Sequence, residues 1–368
     1  MTNRRPMSRF VACALAIALT AAACGDRDAT SGFAARATAE LQASGYGDYL
    51  GIQQPSRSAP RPGWTDLFFD AAPEQAICMD GSDFQVSVRH GTSGRAVLYL
   101  QGGGACWDHD TCWVDRLALV RANGPIEGGA LKLDDPASPF HDDDVVYVPY
   151  CDGSVFGGDA TVDYDGVRTF HHGLWNTSVA VDVLRREFPD AKQIVVAGSS
   201  AGGFGNVPAY AVTRVAFPDT PILVFNDSGP AIENHAVPAA AERARRWQLD
   251  ARYPASCADC RRQAFYLLDW AMERDSSLRV ALYGYQRDRV IMGFFELDAA
   301  AYLDLVLSMT DEIRARHPGR LERYLVAGSG HTTLLYRQFY EQSVDGVAIA
   351  DWTRAFLDGS DGWRDVIE

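Results

Sequence analysis

A short apolar strand that leads directly into a glycine-rich turn, in residues 193–203, limits the possible folds of this chain more than any other segment. The segment reads QIVVAGSSAGG, and its residues 194–197 form an apolar, mostly β-branched run. Such a run is typical of a strand that is buried on both faces of a parallel sheet. The residues that follow the turn, AGGFGNVPAYAVTRVAF, have the length and the apolar face of a packed helix. We therefore expect a strand, a tight turn and a helix in succession.

The turn has the G-x-S-x-G pattern of a nucleophile elbow, formed by Gly198, Ser200 and Gly202. In an elbow the serine takes a strained backbone conformation, and small neighbours let the strand and the helix pass each other closely. Ser199 lies outside the central position of the pattern. A chance pentapeptide in a glycine-rich loop is the alternative, but the strand before it and the helix after it favour the elbow. Ser200 is therefore the candidate nucleophile.

The rest of the chain alternates between apolar strands and amphipathic helices. Strands are predicted at residues 84–91, 96–101, 143–151, 221–227, 279–288 and 323–331, and helices at 175–188, 236–247, 262–274 and 299–316. The first two strands are separated by a turn at 92–94 and are expected to pair as a hairpin. This alternation implies the α/β class, with an α/β-hydrolase-like, doubly wound, mostly parallel sheet. With 368 residues, 47% of them hydrophobic, a single catalytic domain over residues 61–368 is expected.

The N-terminal residues predict export. Arg4, Arg5 and Arg9 precede an apolar run to about Ala23, which is short for a membrane span and typical of a signal peptide over residues 1–24. The run ends in LTAAACGD, which resembles a bacterial lipoprotein box, so lipid attachment at Cys24 is expected, with plain cleavage nearby as the alternative. Residues 25–60 are expected to form a flexible tether. The expected location is the outer membrane or cell surface as a lipoprotein, or else the periplasm or the medium.

The net charge and the cysteines limit the partners and the compartment. The charge of −14 becomes −17 without the three arginines of the signal, so binding to nucleic acid or to an anionic membrane surface is not expected. The protein is expected to be a monomer that contacts a membrane only through its lipid anchor. Apart from Cys13 and Cys24, six cysteines remain; an even number in an exported chain predicts three disulfides, for which 15 pairings exist. For Cys257 and Cys260 a local disulfide is favoured over a redox role.

A serine hydroxyl needs a general base that is oriented by an acid, and the strand order selects candidates for both. If the elbow strand is counted as the fifth of its fold class, Asp288 directly follows the seventh strand and His331 the eighth. Side chains at these two places reach the elbow, because all three strands end at the same edge of a parallel sheet. Asp227 and Asp298 are the competing candidates for the acid. The predicted catalytic triad is Ser200, Asp288 and His331.

Backbone N–H groups that stabilise an oxyanion are expected from two places. An elbow supplies the N–H of the residue after the nucleophile, here Ala201. The glycine loop QGGGACW follows an earlier strand, and Gly103 and Gly104 in it are the other candidate donors. A phosphate-binding loop is the alternative interpretation of these glycines, but the lysine and the helix start of such a loop are missing.

Three aromatic residues in loops near the elbow are candidates for the substrate pocket. Trp107, Trp113 and Phe156 can stack on a sugar ring or line an acyl pocket, and buried packing is the alternative for each of them.

No metal and no other cofactor is predicted. His171 and His172 are adjacent, but no third ligand stands at a suitable spacing, and His141 lies in an acidic loop.

Six motifs together resemble the pectin acetylesterase and Notum family of carboxylesterases. They are LYLQGGGACW, VPYCDGSVFGGD, VVAGSSAGGFGN, FNDSG, YQRD and GSGHTT, in this order, and the resemblance extends from about Cys78 to His331. It implies a Ser-Asp-His esterase of α/β-hydrolase type, in which Ser200, Asp288 and His331 fall on the catalytic motifs of the family. The family includes enzymes that remove acetyl from pectin and others that remove a long acyl chain from a protein, so the resemblance implies an acylated carbohydrate or another ester as the substrate.

The resemblance also implies disulfides between Cys78 and Cys151 and between Cys106 and Cys112. Two positions depart from the family pattern: Gln101 stands where glutamate is usual, and Ala105 stands where plant members have tryptophan. Both flank the oxyanion loop, so the preference for the acyl group or for the alcohol can differ.

Three functions follow from these residues as hypotheses. The leading one is a secreted or lipid-anchored serine carboxylesterase that removes acetyl or another small acyl group from an esterified polysaccharide such as pectin, through an acyl-enzyme. The second is an esterase for long acyl chains, of Notum type. The third is a non-catalytic lipoprotein that uses the same fold to bind glycans, against which the intact serine, aspartate, histidine and glycine loop all count.

Overall fold

The computed structural model describes residues 1–2 and 32–368. Its strands are β1 (Arg57–Arg61), β2 (Trp64–Phe69), β3 (Phe84–Arg89), β4 (Arg95–Leu100), β5 (Asp144–Val148), β6 (Ala160–Tyr164), β7 (Val167–His171), β8 (Gln193–Ser199), β9 (Ile222–Asp227), β10 (Arg279–Tyr285), β11 (Leu321–Val326), β12 (Ser343–Val344), β13 (Val347–Ala348) and β14 (Val366–Ile367). Its α-helices are α1 (Ala35–Ala43), α2 (Gly173–Glu187), α3 (Ala201–Ala216), α4 (Pro238–Trp247), α5 (Tyr266–Met272), α6 (Arg289–Phe295), α7 (Ala299–Arg316), α8 (Gln338–Glu341) and α9 (Ile349–Asp358).

Ten of the strands form one sheet, in the order β1-β2-β3-β5-β4-β8-β9-β10-β11-β14. The pairs from β5 to β14 are parallel, and β1, β2 and β3 continue the sheet with antiparallel pairs. Helices cover both faces, so the expected α/β-hydrolase-like, mostly parallel, doubly wound sheet is confirmed.

The expected hairpin between β3 and β4 is wrong, because β5 lies between these two strands. Ser87 of β3 pairs with Tyr147 of β5, and β4 pairs in parallel with both β5 and β8. Residues 96–100 of β4 are all buried. A strand that is apolar on both faces loses most contact with water between two parallel neighbours, and this outweighs the short connection to β3.

Alternate residues of the elbow strand β8 enter two separate cores. Ile194 and Val196 pack among residues of α2 and α3 on one face of the sheet. Val195 and Ala197 face the opposite way, into a core that contains Trp352 of α9. All four are at most 1% exposed, so β8 is fixed from both sides and its C-terminal end has a defined position.

The predicted helices agree with the structure except at one place. The predictions at 175–188, 236–247 and 299–316 correspond to α2, α4 and α7. The helix predicted at 262–274 is shorter, since α5 begins only at Tyr266. A short 3-10 turn at 259–261 occupies the preceding residues, where the Cys257–Cys260 disulfide constrains the chain.

The expected flexible tether over residues 25–60 is wrong from Gly32 onward. Helix α1 lies in this segment, and its Ala37 and Leu41 are completely buried in the core that contains α3. These two residues are four positions apart and therefore share one helix face, which the alanine-rich and serine-rich composition conceals. Strand β1 then adds an edge to the sheet. The folded unit extends over residues 32–368, and the predicted signal peptide and Cys24 lie outside the described residues.

Residues 32–368 contain three disulfides, as the sequence predicts. They join Cys78 to Cys151, Cys106 to Cys112, and Cys257 to Cys260. In the part of the chain that the structure describes, no helix has the length and apolar character that a membrane crossing requires.

Candidate active site

The elbow at the end of β8 holds Ser200 in a strained conformation. Its φ of 58° and ψ of −119° lie in a region that residues with a side chain rarely adopt. The N–H of Ser200 donates to the carbonyl oxygen of Asp227, 2.8 Å away, and ties the turn to the next strand. A Cβ atom at Gly202 would overlap the carbonyl oxygen of Leu100, so only glycine fits where helix α3 starts beside β4.

The two adjacent serines of the turn have different environments. Ser199 is 3% exposed, and its Oγ donates to Asp227 Oδ2 at 2.6 Å and lies 2.9 Å from the Tyr99 hydroxyl. Ser200 is partly exposed. Among residues 32–368, no hydrogen bond is made by the Ser200 hydroxyl, to His331 or to any other group. Ser200 is thus the hydroxyl that is accessible to a substrate. The hydrogen bond between a catalytic serine and its histidine often forms fully only in the substrate complex.

Asp288 and His331 are joined at the end of β10 and β11. His331 Nδ1 lies 2.7 Å from Asp288 Oδ2, and because a carboxylate only accepts, Nδ1 carries the proton and Nε2 is free to accept one. Asp288 is completely buried, and its Oδ1 accepts from the N–H groups of Val290 and Ile291 at the start of α6. The carboxylate therefore has a fixed orientation toward the imidazole.

The two competing acids have other roles in the structure. Asp227 is buried below the elbow, where it accepts from the Ser199 hydroxyl and from the N–H groups of Thr333 and Leu334 at 2.9 to 3.0 Å. Burial raises the pKa of its carboxyl to about 6, against the hydrogen bonds that lower it. Asp298 accepts from the N–H of Ala301 at 2.8 Å as the N-terminal cap of α7.

Asp227 links the histidine loop to the elbow. Its carboxylate accepts hydrogen bonds from the N–H groups of Thr333 and Leu334, which follow His331 by two and three residues. Its backbone carbonyl oxygen accepts from the N–H of Ser200. The N–H of Thr332 also donates to Ser228 Oγ at 3.0 Å. The loop that carries His331 is therefore fastened to the strand end next to Ser200.

The glycine loop after β4 lies against the elbow. At Gly104, φ is 80°, and a Cβ would overlap the carbonyl oxygen of Leu117, so the loop requires glycine there. Gly103 accepts from the N–H of Leu119 at 2.9 Å. Within residues 32–368 the N–H groups of Gly103 and Gly104 have no acceptor, which is the condition of a donor that is free to bind an oxyanion.

A disulfide and a tryptophan fix the far end of this loop. Cys106 is bonded to Cys112, and its N–H donates to the carbonyl oxygen of Gly153 at 3.0 Å. The indole N–H of Trp247, the last residue of α4, donates to the carbonyl oxygen of Cys106 at 2.9 Å. Helix α4 is thereby attached to the loop that presents the glycine N–H groups.

A cavity of about 310 Å³ opens beside Ser200. Ser200, Ala201 and Gly104 form part of its wall, whereas Asp288 and His331 do not. The remaining wall is mostly apolar and comes from the glycine loop, α3, α4, α6 and the segments 231–235, 249–253 and 260–264. Its large apolar members are Trp107, Phe204, Trp247, Leu249, Tyr253, Ile291, Phe294 and Phe295. The candidate nucleophile therefore stands where an apolar chamber meets two candidate oxyanion donors.

Of the three aromatic pocket candidates, one lines this cavity. Trp107 belongs to the wall. Trp113 lies outside the wall, and its indole N–H donates to the Thr169 hydroxyl at 2.9 Å. Phe156 is completely buried and packs on Tyr150 with 5.0 Å between the ring centres. Trp113 and Phe156 therefore do not line this cavity, and the buried ring of Phe156 agrees with the packing alternative.

The two departures from the family pattern have clear positions. Gln101 is buried, and its Oε1 accepts from the N–H of Tyr150 at 3.1 Å, which needs only an oxygen and no charge. Ala105 lies in the cavity wall. A tryptophan at this position would project a large ring into or along the cavity, so the alanine leaves the chamber wider.

Sequence reasoning missed the residues that α4 and its neighbours bring to the site. Helix α4 was predicted, but nothing in its sequence indicates that Arg243 and Trp247 face the elbow. Phe204 and Phe295 stack with 5.4 Å between ring centres, and a long-range contact of this kind leaves no periodic signal. The only sequence signal for these wall residues is the pattern of apolar positions within each helix, which does not show what each position contacts.

The histidines outside the candidate triad are held by protein groups. His171 Nδ1 lies 2.9 Å from the Asp152 carbonyl oxygen, and its Nε2 lies 3.0 Å from the Tyr164 hydroxyl. Burial lowers the pKa of His171 to about 4, and it also lowers the pKa of His172. His141 pairs with Asp142 at 2.8 Å. Within the described residues, no three His, Cys, Asp or Glu side chains are grouped as a metal site would require.

Comparison with known proteins gives one family and several curated relatives. The family model described as Pectinacetylesterase matches residues 65–248, half of the chain. This range contains Gly103, Gly104 and Ser200 and ends before Asp288 and His331.

Two of the relatives are named for a protein substrate and one for pectin. Palmitoleoyl-protein carboxylesterase notum2 of Xenopus laevis is 30% identical over 138 residues, which is 35% of this chain and 28% of that protein. Pectin acetylesterase 5 of Arabidopsis thaliana is 28% identical over 144 residues, 36% of this chain and 34% of that protein. Palmitoleoyl-protein carboxylesterase NOTUM of Homo sapiens is 27% identical over 171 residues, 43% of this chain and 34% of that protein. The chain thus matches roughly a third of the length of each relative.

Proposed function

This chain belongs to the pectinacetylesterase family, and on that basis we propose that it is a serine carboxylesterase whose acyl group occupies the apolar cavity beside Ser200. The single observation that carries the proposal is the position of this hydroxyl: it lines the cavity together with Ala201 and Gly104. Hydrolysis of an ester with an apolar acyl group requires a nucleophile, free N–H donors and an apolar chamber close together.

The proposed reaction proceeds through an acyl-enzyme. Ser200 Oγ attacks the ester carbonyl carbon, and its proton passes to Nε2 of His331, whose other nitrogen is held by Asp288. The oxyanion accepts hydrogen bonds from Ala201 and from Gly103 or Gly104. Collapse of the tetrahedral intermediate breaks the bond to the alcohol oxygen, which takes the proton from Nε2. Water then attacks the acyl-enzyme by the same route, so that an acid is released and the hydroxyl is restored.

The size of the cavity supports an acyl chain of medium length. Water occupies about 30 Å³ per molecule in the liquid, and a methylene group is of similar size, so 310 Å³ holds about ten such groups. An acetyl group would leave most of this space unfilled by the substrate. Each buried methylene contributes about 0.8 kcal/mol, so a chain of eight to ten carbons gains far more than acetyl does. Ala105, in place of a tryptophan, supports the same choice.

Removal of acetyl from a polysaccharide such as pectin is the second candidate, favoured by the name of the matching family. It predicts that the alcohol side determines recognition and that the acyl side contributes little. A non-catalytic glycan-binding role is the third, and the coupled Asp288 and His331 argue against it, since binding alone does not need an imidazole held by a buried carboxylate.

We also propose that the protein works outside the cytoplasm. Three disulfides are typical of proteins from oxidising compartments. With the signal peptide and Cys24 as expected from the sequence, a lipid anchor or secretion follows. The proposed state is a monomer, whose partner is an acylated carbohydrate or another ester.

The test is a rate series with p-nitrophenyl acetate, butyrate, octanoate and palmitate, followed by measurement of acetate release from acetylated pectin and xylan. The proposal expects the highest kcat/KM with octanoate and a lower value with palmitate, whose 16 carbons exceed the chamber. A maximum at acetate together with acetate release from a glycan would establish the second candidate instead. Ser200→Ala serves as the control for background hydrolysis, and absence of any activity above it would refute the esterase proposal.

A further inference from the structure

A buried guanidinium lies in the wall of the mostly apolar cavity, whose other acidic or basic members are Glu233, His235, Asp250 and Arg261. Arg243 of α4 is 2% exposed and lines the chamber beside Ser200. Its central carbon lies 4.6 Å from the centre of the Trp107 ring and 5.0 Å from that of Phe295, both of which are wall residues. Two aromatic faces thus hold the planar cation in one orientation.

Only part of this guanidinium is used by the protein. Nε and Nη2 donate to the two carboxylate oxygens of Glu233 at 2.8 and 2.6 Å, in a bidentate pair. The backbone of Glu233 is held in turn by the side chain of Gln263, whose Nε2 donates to its carbonyl oxygen at 3.0 Å. The pair is therefore fixed at both ends, and its position does not depend on a substrate.

Nη1 of Arg243 has no hydrogen-bond partner among the described residues and almost no accessible surface, so a ligand oxygen contacts it only after a small shift of the side chains that cover it. Several other buried side-chain atoms of residues 32–368 share this condition, but Arg243 is the one among them that belongs to the cavity wall. A buried N–H donor without an acceptor costs free energy, and a ligand oxygen in the chamber would remove that cost.

We propose that Arg243 Nη1 binds an oxygen atom carried by the acyl group, so that the cavity selects oxygenated acyl chains over plain hydrocarbon chains. This inference rests on the proposed carboxylesterase function and concerns its acyl side. Glu233 already balances the charge of the arginine. A second carboxylate would be repelled by Glu233, so the acceptor is a neutral ether, carbonyl or hydroxyl oxygen. The rest of the chain lies against the apolar wall.

The experiment uses p-nitrophenyl esters in which one methylene of octanoate is replaced by an ether oxygen, at positions 4, 5, 6 and 7 in turn. These oxa esters match octanoate in length and cannot cyclise to lactones as hydroxy esters can. We expect kcat/KM at one position to exceed that of octanoate by about tenfold or more, because a hydrogen bond to a charged donor forms there. Equal or lower values for all four oxa esters would overturn the inference, since Nη1 then binds no oxygen of the acyl chain.

Variants distinguish Arg243 from a general effect of polarity. Arg243→Met keeps the length of the side chain without a donor, and it should lower the ratio of oxa-ester to octanoate kcat/KM to about one or below, whatever its rate with octanoate. Arg245→Met is the matched control on the same helix, because Arg245 is exposed and pairs with Glu242; it should retain the preference. If Arg243→Met does not fold, the double variant Glu233→Gln with Arg243→Met leaves no unpaired carboxylate and replaces it. Persistence of the oxa preference in a folded variant without Arg243 would also refute the inference.

Failure of this inference differs from failure of the proposed function. Wild-type protein that hydrolyses octanoate but does not discriminate the oxa esters is an esterase in which Nη1 has no role in binding. Wild-type protein that hydrolyses none of the esters above the Ser200→Ala background refutes the function itself.

Discussion

Filling the cavity from Ala105 is the most informative perturbation of substrate choice. Ala105 lines the chamber and is 8% exposed, and Ala105→Trp adds an indole ring of nine non-hydrogen atoms at its edge. Since the chamber holds about ten groups of the size of a methylene, the ring would occupy most of it. We expect the variant to fold, because the added volume enters open space and does not displace packed side chains.

The magnitude follows from the number of methylenes that lose their place. Octanoate has six more methylenes than acetate, and at about 0.8 kcal/mol each their burial raises kcat/KM by on the order of 10³ if all six enter the cavity. In Ala105→Trp this ratio of octanoate to acetate should fall below about 10. The acetate rate itself should change less than about threefold, since a two-carbon acyl group needs only the space next to Ser200.

The assay is the release of p-nitrophenol from the acetate, butyrate and octanoate esters under kcat/KM conditions. Ala105→Ser conserves the volume and is the control, for which the parental ratio is expected. If folded Ala105→Trp kept the octanoate preference of the parent, the acyl chain would not lie in this cavity and the assignment of the chamber would be refuted.

The other predictions concern the acid, a buried histidine and the loop disulfide. Asp288→Asn should lower turnover by about 10³ to 10⁴ through loss of imidazole orientation, and kinetics that leave Asp288→Asn nearly unchanged would show that another acid serves. Burial lowers the pKa of His171 to about 4 in the folded protein, whereas the pKa of an unfolded histidine is about 6.5. Between pH 4 and pH 6.5 the unfolded state therefore binds more protons than the folded state. The free energy of unfolding should fall by up to about 3 kcal/mol as the pH drops from 6.5 to 4. Urea titrations at both pH values should show a smaller fall in His171→Asn, and an equal fall would refute the assignment. The double change Cys106→Ala and Cys112→Ala should cost only about 2 kcal/mol of stability, because the ring is small, but should lower turnover tenfold or more by releasing the oxyanion loop. A parental rate in the double variant, or free thiols found by mass spectrometry in the parent, would contradict this.

The elbow and the sheet could be predicted because their signals are local. Residues 194–197 and the glycine pattern around Ser200 predict a strand, a turn and a helix within about 25 residues. Each of these elements has its own local sequence pattern: an apolar run, closely spaced glycines and an apolar helix face. The strand order then placed Asp288 and His331 at the correct edge, since parallel strands end on the same side. The pairing of β3 with β5 was not predicted, because the turn at 92–94 shows only that the chain reverses between β3 and β4. It does not show whether another strand lies between them in the sheet.

The cavity wall could not be predicted, because contacts between distant segments form it. Trp113 follows the glycine loop in the sequence, and Phe156 lies in the motif VPYCDGSVFGGD. Each of them nevertheless contacts a residue outside the chamber. Arg243 lies on α4, about 40 residues after the elbow, and its orientation depends on the rings of Trp107 and Phe295 on either side of it. Similarly, α1 was obscured by a composition typical of tethers, and only its packing on α3 shows that it belongs to the domain.

The most direct test of Ser200 as the nucleophile is covalent labelling with an octyl fluorophosphonate, followed by peptide mass spectrometry. The wild-type protein should take up one phosphonyl group, located on Ser200, while Ser200→Ala takes up none and the adjacent Ser199 stays unlabelled because it is buried and bound to Asp227. Absence of labelling in active protein, or a label on Ser199 or another serine with Ser200 unmodified, would contradict this account.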